Sequence, residues 1–189
     1  MKDESYASAR YLPFGDNALL VEFGDTISLK TNRKVIALND AILKTEIQGV
    51  EELVPTYRSL LVRYNPLEVD YEQLVCRVED IEKTLKKTMV RIEGKSIVIP
   101  VVYGREYGPD LSYVAKRHGL TEEQVVALHS KREYRVYMIG FVAGFPYLGE
   151  VADEIATPRL ETPRLKVPAG SVGIAEKQTG IYPCEAPGG

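Results

Sequence analysis

The chain has 189 residues, of which 44% are hydrophobic and 27% charged, the balance of an ordinary globular protein. Its net charge of −3 comes from interspersed acids and bases, so no basic surface indicates nucleic acid as a partner. The longest nearly apolar run, residues 136–145, is far shorter than the roughly 20 residues of a membrane-spanning helix, and no membrane association is expected.

Export and disulfide formation are not indicated either. The N-terminal sequence MKDESYASAR lacks the apolar stretch of a secretory signal. Cys76 and Cys184 lie far apart on different predicted elements, which favours reduced thiols over a disulfide or a metal-binding pair. We therefore expect a cytoplasmic protein.

The first half predicts a small α+β domain over residues 1–92. Residues 10–25 have the pattern of a β-hairpin, and residues 28–47 repeat apolar positions at helical spacing. Residues 50–64 hold two further strand-like runs, and a second helix follows with Asp70 as its cap. This order predicts helices packed on one face of an antiparallel sheet.

A second domain, residues 93–189, is predicted to be mainly β. Residues 96–103 are apolar almost throughout and predict its first strand. Residues 110–118 and 121–131 predict two short helices, the second of which begins with a Thr-x-x-Gln capping box. The remaining pattern is wholly β and rich in loops.

Glycine, proline and aromatic residues are concentrated between residues 135 and 183. They cluster at residues 140–149, in a tandem Thr-Pro-Arg-Leu at 157–165, and again over 168–183. Glycine permits positive φ and close backbone approach, whereas proline fixes φ and removes a donor. Any one of these bends is explained as a tight turn, but their density predicts a set of shaped loops.

Several kinds of catalytic site are excluded. The chain has no GxxxxGK(S/T) phosphate loop and no GxGxxG after a strand. Its two histidines, His118 and His129, lie in no zinc-binding pattern, so no metal site is predicted. A triad of Ser171, His129 and Asp153 is disfavoured because the serine lacks a GxSxG elbow.

The loop-rich segment instead offers groups suited to binding a small polar molecule. Arginine and lysine side chains lie among prolines, and the planar fork of arginine suits a carboxylate or phosphate. An amide, a hydroxyl and a tyrosine flank a glycine where backbone can approach a ligand. The alternative is an ordinary solvated loop. The groups are Arg159, Arg164, Lys166, Gln178, Thr179, Gly180 and Tyr182.

His129 is the one candidate catalytic residue. It lies near the end of a predicted helix, where histidine commonly caps the helix or interacts with its dipole. The alternative is a proton carrier that faces the loop cluster. Apart from this residue the segment supplies no obvious nucleophile or base, and the chain alone looks like half of a site.

Three stretches carry a resemblance to a known family. They are IGFVAGFPYLG at 139–149, TPRLETPRLKVPAGSVGIAEKQTGIYP at 157–183, and PTYRSLLV at 55–62. Together they resemble the KipI/PxpB family, also labelled allophanate hydrolase subunit 1 or carboxyltransferase domain subdomains C and D. The resemblance covers nearly the whole chain and implies an N-terminal α+β domain followed by a cyclophilin-like β-barrel.

Two departures from the family pattern affect these expectations. Many relatives have proline where this chain has Ala143, which implies a slightly less rigid loop. Relatives also continue past Gly189 with a Trp-containing strand, so the barrel is expected to be incomplete, with an open edge that another chain covers.

The resemblance implies a subunit of a bacterial ATP-dependent 5-oxoprolinase, which opens 5-oxo-L-proline to L-glutamate with PxpA-like and PxpC-like partners. ATP is expected at the level of the complex, with no cofactor evident in this chain and no activity of the chain alone. Arg164 or Lys166 would meet the substrate carboxylate, and Gln178 and Thr179 would polarise the lactam. The rest of the expected substrate-binding set is Phe145, Pro146, Tyr147, Gly170, Ser171, Gly180 and Tyr182.

Three alternatives stay open at this point. A KipI-like inhibitor would bind a sporulation histidine kinase through an exposed surface such as residues 145–147. A urea-carboxylase-like domain would transfer a carboxyl group from biotin to urea. A scaffold would support its partner without touching a ligand. Fold-level likeness alone does not choose among them.

Overall fold

The computed structural model describes residues 5–86 and 94–189 and divides into two compact units, Met1–Lys95 and Ser96–Gly189. The boundary predicted between residues 92 and 93 lies outside the described residues. Within those described ranges, no helix combines the length and the apolar character needed to cross a membrane.

The first unit holds two helices and one four-stranded sheet. The elements are β1 Ser5–Pro13, β2 Ala18–Gly24, α1 Leu29–Thr45, β3 Val50–Pro55, β4 Ser59–Tyr64 and α2 Tyr71–Lys86. The sheet has the order β1-β2-β4-β3, and all neighbouring strands are antiparallel. The predicted order of strands and helices is confirmed.

The core of this unit lies between the sheet and the helices. Leu19 faces Val62 and Val21 faces Leu60 across β2 and β4, so these four buried side chains share one face of the sheet. Leu38 of α1 and leucine and valine side chains of α2 pack against the same cluster. Because alternate strand residues point to one face, the sheet buries that face under the helices.

The helix starts follow from local sequence signals. Ser28 caps α1 by accepting a hydrogen bond from the backbone N–H of Thr31 at 3.1 Å. Asp70 similarly accepts from the N–H of Gln73 at 2.8 Å, as predicted for the start of α2. Both caps satisfy donors that the first helical turn leaves unpaired.

The second unit has two short helices followed by six short strands. The elements are α3 Leu111–His118, α4 Glu122–Ser130, β5 Arg135–Ile139, β6 Pro146–Gly149, β7 Arg164–Val167, β8 Val172–Ala175, β9 Gln178–Ile181 and β10 Ala186–Gly188, with 3-10 turns at Arg105–Tyr107 and Asp153–Ile155. Thr121 and Gln124 form the predicted capping box at the start of α4.

The strands of this unit form two antiparallel sheets. One has the order β5-β6-β9-β8, and the other pairs β7 with β10. Over the described residues these sheets do not close into a barrel, so the structure supports a mixed α/β chain with several antiparallel sheets. A separate core of Val114, Ala115, Val125, Val151, Ala152 and Ile155 lies beneath the two helices.

The strand predicted over residues 96–103 is not formed. No secondary structure is assigned there, and apolar side chains stay in solvent, with Val98 96% exposed. A strand needs a partner for its backbone donors and acceptors, and among the described residues none pairs with this segment. Pro100 also lacks the N–H that a ladder would use.

Candidate functional site

A cavity of about 140 Å³ lies in the second unit, between the sheet and its connecting loops. It is smaller than the about 300–1,000 Å³ of pockets that hold drug-sized ligands, so its size suits a small guest. The cavity is lined by aromatic rings, by polar side chains of β9, by Arg159, and by backbone of β8 and of residues 187–189.

Four aromatic rings form one wall of the cavity. The Phe145 ring centroid lies 5.0 Å from that of Tyr147 and 5.1 Å from that of Tyr182. Phe141 adds edge contacts at 5.5 Å to Phe145 and 6.4 Å to Tyr182. Such edge-to-face pairs fix the rings relative to one another, which makes a rigid apolar surface.

The Phe145 ring is seated where Gly180 leaves room for it. A Cβ atom added to Gly180 would lie 2.5 Å from Phe145 Cζ, a distance that the packed ring does not allow. Phe145 is therefore only 8% exposed, although it lies in a loop-rich segment. The glycine predicted to admit a ligand close to the backbone instead admits this ring.

Thr179 connects the cavity to a buried hydrogen-bond chain. Its hydroxyl donates to the Gly173 carbonyl at 2.9 Å, so its oxygen accepts from His129 Nε2 at 3.1 Å. The Tyr103 hydroxyl lies 2.7 Å from His129 Nδ1 and must be the donor there. The contacts therefore fix a neutral histidine with its proton on Nε2.

Burial agrees with this neutral state. His129 is 7% exposed, and desolvation lowers the pKa of its imidazole below the usual value. The side chain lies behind Thr179 and is not among the residues that line the cavity. His129 thus reaches the cavity through Thr179 and holds that residue in place.

The second histidine makes a parallel contact with another buried threonine. His118, the last residue of α3, places Nε2 3.1 Å from the hydroxyl of buried Thr157, which donates to the Ile155 carbonyl. The backbone carbonyl of Thr157 also accepts from the N–H of Glu176 at 2.8 Å. The chain leading to Arg159 is therefore held at Thr157.

The three loop cations are in different electrostatic environments. Arg164 makes two hydrogen bonds of 2.7 Å to the carboxylate of Asp110, and Lys166 pairs with Glu185 at 2.9 Å. The Asp110 carboxylate raises the pKa of Arg164 above its ordinary value. Neither of these two cations lines the cavity, whereas Arg159 does.

The structure brings together part of the predicted binding set. Phe145, Tyr147, Gln178, Thr179, Gly180 and Tyr182 all line the cavity. Arg164, Lys166, Gly170 and Ser171 lie outside the lining, as does Pro146, whose carbonyl lies next to Gly180. The backbone of Gly170 and Ser171 is used in hydrogen bonds with Pro168 and Tyr182 that shape the turn before β8.

Three residues contribute to the site without belonging to the predicted binding set. Phe141 and Arg159 line the cavity, and Tyr103 bonds His129 from behind. The sequence marks Arg159 as a cation among prolines, but the expected anchor is its repeat partner Arg164. No pattern in the sequence links Tyr103 to His129, which lies 26 residues later.

A catalytic triad of Ser171, His129 and Asp153 is not present. Both ring nitrogens of His129 bond other hydroxyls, those of Tyr103 and Thr179. The Asp153 carboxylate pairs with Lys177 at 2.6 Å. Among the described residues, no group of three or more His, Cys, Asp or Glu side chains is placed to hold a metal ion.

A wider depression of about 560 Å³ lies along α4. Its lining includes Leu120, Leu128 and the cations Lys131 and Arg132. This surface gathers few of the polar groups that orient a small ligand. The smaller cavity is therefore the candidate site.

Chemically, the candidate site can bind and orient a flat molecule. Its aromatic wall offers an apolar face, Gln178 offers amide donors and an acceptor, and Arg159 offers a cation. Among the described residues that line it, none carries a carboxylate, thiol or imidazole side chain, the groups that usually serve as general base.

Comparison with known proteins gives a consistent result. Residues 9–189 match the model of the family described as carboxyltransferase domain, subdomain C and D. A 5-oxoprolinase subunit of Bacillus subtilis (strain 168) is 40% identical over 185 residues, which cover 93% of this chain and 77% of that protein. The 5-oxoprolinase subunit of the same name in Haemophilus influenzae is 43% identical over 178 residues, covering 94% and 81%.

Solved structures share the fold. The crystal structure of TTHA0988 superposes with a TM-score of 0.79 at 39% identity over 91% of this chain, which spans 33% of the TTHA0988 chain. The Kluyveromyces lactis urea carboxylase superposes with a TM-score of 0.73 over 96% of this chain and 18% of its own, at 17% identity. The second likeness concerns the fold alone.

Proposed function

The chain belongs to the family of carboxyltransferase domain, subdomain C and D, and on that basis we propose that it is a subunit of a bacterial ATP-dependent 5-oxoprolinase. The family predicted from the loop motifs is thereby confirmed. In the proposed reaction water cleaves the lactam C–N bond of 5-oxo-L-proline to give L-glutamate, and hydrolysis of ATP drives the ring opening.

The observation that supports this substrate is the composition of the cavity. A lactam is a flat ring with one carbonyl acceptor and one N–H donor. The aromatic wall around Phe145 suits the ring, and the side-chain amide of Gln178 can both donate to and accept from the lactam. Gln178 makes no side-chain hydrogen bond among the described residues, so its amide is available.

The proposed role of Thr179 is to shape the site. Its hydroxyl proton is used by the Gly173 carbonyl and its lone pair by His129. The His129–Thr179 pair would therefore hold β9 so that Gln178 and Tyr182 face the guest. His129, the candidate catalytic residue, acts in this proposal as a positioning residue.

The proposal includes partner proteins because the cavity contains binding groups without a base. PxpA-like and PxpC-like proteins would complete the catalytic machinery and the ATP site, and this chain would be inactive alone. A cyclophilin-like barrel is part of the same proposal, with β5-β6-β9-β8 and β7-β10 as six of its strands. A structure of the assembled complex would test whether those sheets close.

A reconstitution experiment tests the function. This chain would be combined with the PxpA-like and PxpC-like proteins encoded beside it, and glutamate release from 5-oxoproline would be measured with ATP. We expect release that requires all three proteins and ATP. Unchanged release when this chain is omitted would refute the role of a subunit.

The same assay separates the alternatives. Consumption of urea in place of 5-oxoproline would indicate the carboxyltransferase function. The kinase-inhibitor alternative relies on an exposed loop at residues 145–147, but Phe145 is buried and the next two residues begin β6. If 5-oxoproline leaves the amide resonances of residues 178–182 unchanged in the complex, the scaffold alternative is favoured.

A further inference from the structure

We propose that Arg159 binds the carboxylate of the substrate in this cavity. The inference rests on the proposed 5-oxoprolinase function, and it replaces Arg164 and Lys166 as the expected anchor. It also defines the substrate class as a small flat lactam that carries an acidic group beside the ring.

The first argument is the distribution of charge. Among the described residues that line the cavity, Arg159 carries the only charged side chain. No ion pair or hydrogen bond of its guanidinium is formed with the described residues. The neighbouring cations are already neutralised, Arg164 by Asp110 and Lys166 by Glu185. A carboxylate entering the cavity therefore meets one available cation.

The second argument is that the backbone leading to Arg159 is fixed. Thr157 is 4% exposed, bonds His118 through its hydroxyl and is bridged to Glu176. Pro158 follows with a restricted φ, so few rotatable bonds separate this anchored residue from Arg159. A guanidinium held in this way loses less entropy when it binds a ligand.

The third argument is chemical fit. The planar guanidinium can donate two parallel hydrogen bonds to a carboxylate, a geometry that lysine cannot match. Arg159 is solvent-exposed, so it can meet an anion at the mouth of the cavity while the ring enters toward Phe145. The lactam of 5-oxoproline has its carboxylate on a ring carbon next to the nitrogen, which permits both contacts in one small molecule.

The experiment uses the assembled complex with Arg159→Gln and Arg159→Lys. Kinetics with 5-oxoproline would be accompanied by binding titrations with 5-oxoproline and with 2-pyrrolidinone, the same lactam without a carboxylate. Arg117→Gln, an exposed arginine of α3 outside the cavity, is the matched control. Circular dichroism melting would show that each variant chain remains folded.

We expect Arg159→Gln to raise the KM and the Kd for 5-oxoproline at least tenfold, about 1.4 kcal/mol of binding free energy. Its Kd for 2-pyrrolidinone should match that of the wild type, because this ligand lacks the carboxylate. Arg159→Lys should restore part of the affinity, and Arg117→Gln should change neither constant.

The outcomes separate this inference from the proposed function. If the wild-type complex releases glutamate but Arg159→Gln leaves the KM and Kd for 5-oxoproline unchanged, the role of Arg159 is overturned and the function stands. If the complex releases no glutamate but binds 5-oxoproline through Arg159, the function fails and the anchor stands. Equal weakening of both ligands would contradict a carboxylate contact, and absence of any 5-oxoproline binding would overturn both proposals.

Discussion

The Nε2 atom of His129 lies 3.1 Å from the Oγ1 atom of Thr179, and both side chains are buried. The pair joins α4 to the strand that lines the candidate site. Thr179→Val keeps the shape of the side chain but removes the oxygen that accepts from His129. We expect a loss of about 1–3 kcal/mol in the free energy of unfolding, because a buried donor loses its partner.

Thr179→Ser is the matched variant for that measurement, since it retains the hydroxyl. Urea denaturation should show Thr179→Ser closer to the wild type than Thr179→Val. If both variants lose the same stability, the lost methyl packing and not the hydrogen bond accounts for the effect.

The neutral state of His129 predicts a pH dependence of stability. Burial lowers the pKa of His129 in the folded chain below the value of 6.5 expected when unfolded. As pH falls below 6.5, the unfolded chain takes up a proton that the folded chain resists, so the unfolded state is favoured. The stabilisation is fully present above that pH and is lost on acidification.

Denaturation of the wild type and of His129→Gln between about pH 7.5 and about pH 5 would measure this effect. The free energy of unfolding of the wild type should decrease toward acid pH, and the decrease should be smaller for His129→Gln. Parallel pH profiles for the two chains would assign the decrease to other groups.

The ion pair between Arg164 and Asp110 predicts a small structural effect and no role in substrate affinity. The two side chains are 43% and 45% exposed, so water and salt screen their attraction. A double-mutant cycle with Arg164→Gln and Asp110→Asn should give a coupling energy of about 1 kcal/mol or less, decreasing with added salt. A rise in the KM for 5-oxoproline in Arg164→Gln would restore Arg164 as the anchor.

The helices of the chain could be predicted because their signals are local. Ser28 and Thr121 cap α1 and α4 through residues three positions away, and apolar spacing identifies the buried faces. The strand predicted over residues 96–103 depends on a partner elsewhere, which apolar character alone does not supply. Antiparallel pairing in the first unit was predictable because short turns join its hairpins.

The site was predictable only in part for a similar reason. The tandem Thr-Pro-Arg-Leu offers two arginines in nearly identical sequence surroundings. Asp110, 54 residues before Arg164, decides which of them is neutralised, and such a distance leaves no periodic signal. The aromatic and polar residues of 145–182 were identified because the family motif places them together.

Gly180 offers a test of how the aromatic wall defines the cavity. A Cβ at this position would lie 2.5 Å from Phe145 Cζ and 3.2 Å from the Pro146 carbonyl oxygen, so Gly180→Ala must displace the ring. Because Phe145 contacts Tyr147 and Tyr182, its displacement should disturb the whole wall. We expect Gly180→Ala to lower the unfolding free energy by about 1–3 kcal/mol and to weaken lactam binding.

Gly173 on the adjacent strand provides the comparison, since a Cβ there would meet only Tyr182 Cε2 at 3.8 Å, an ordinary contact. Titration of the assembled complex with 2-pyrrolidinone would measure the wall without the contribution of Arg159. Gly180→Ala should weaken this binding more than Gly173→Ala does. If Gly180→Ala binds 2-pyrrolidinone as tightly as the wild type, the Phe145 ring does not form the surface that receives the lactam, and the guest must bind elsewhere.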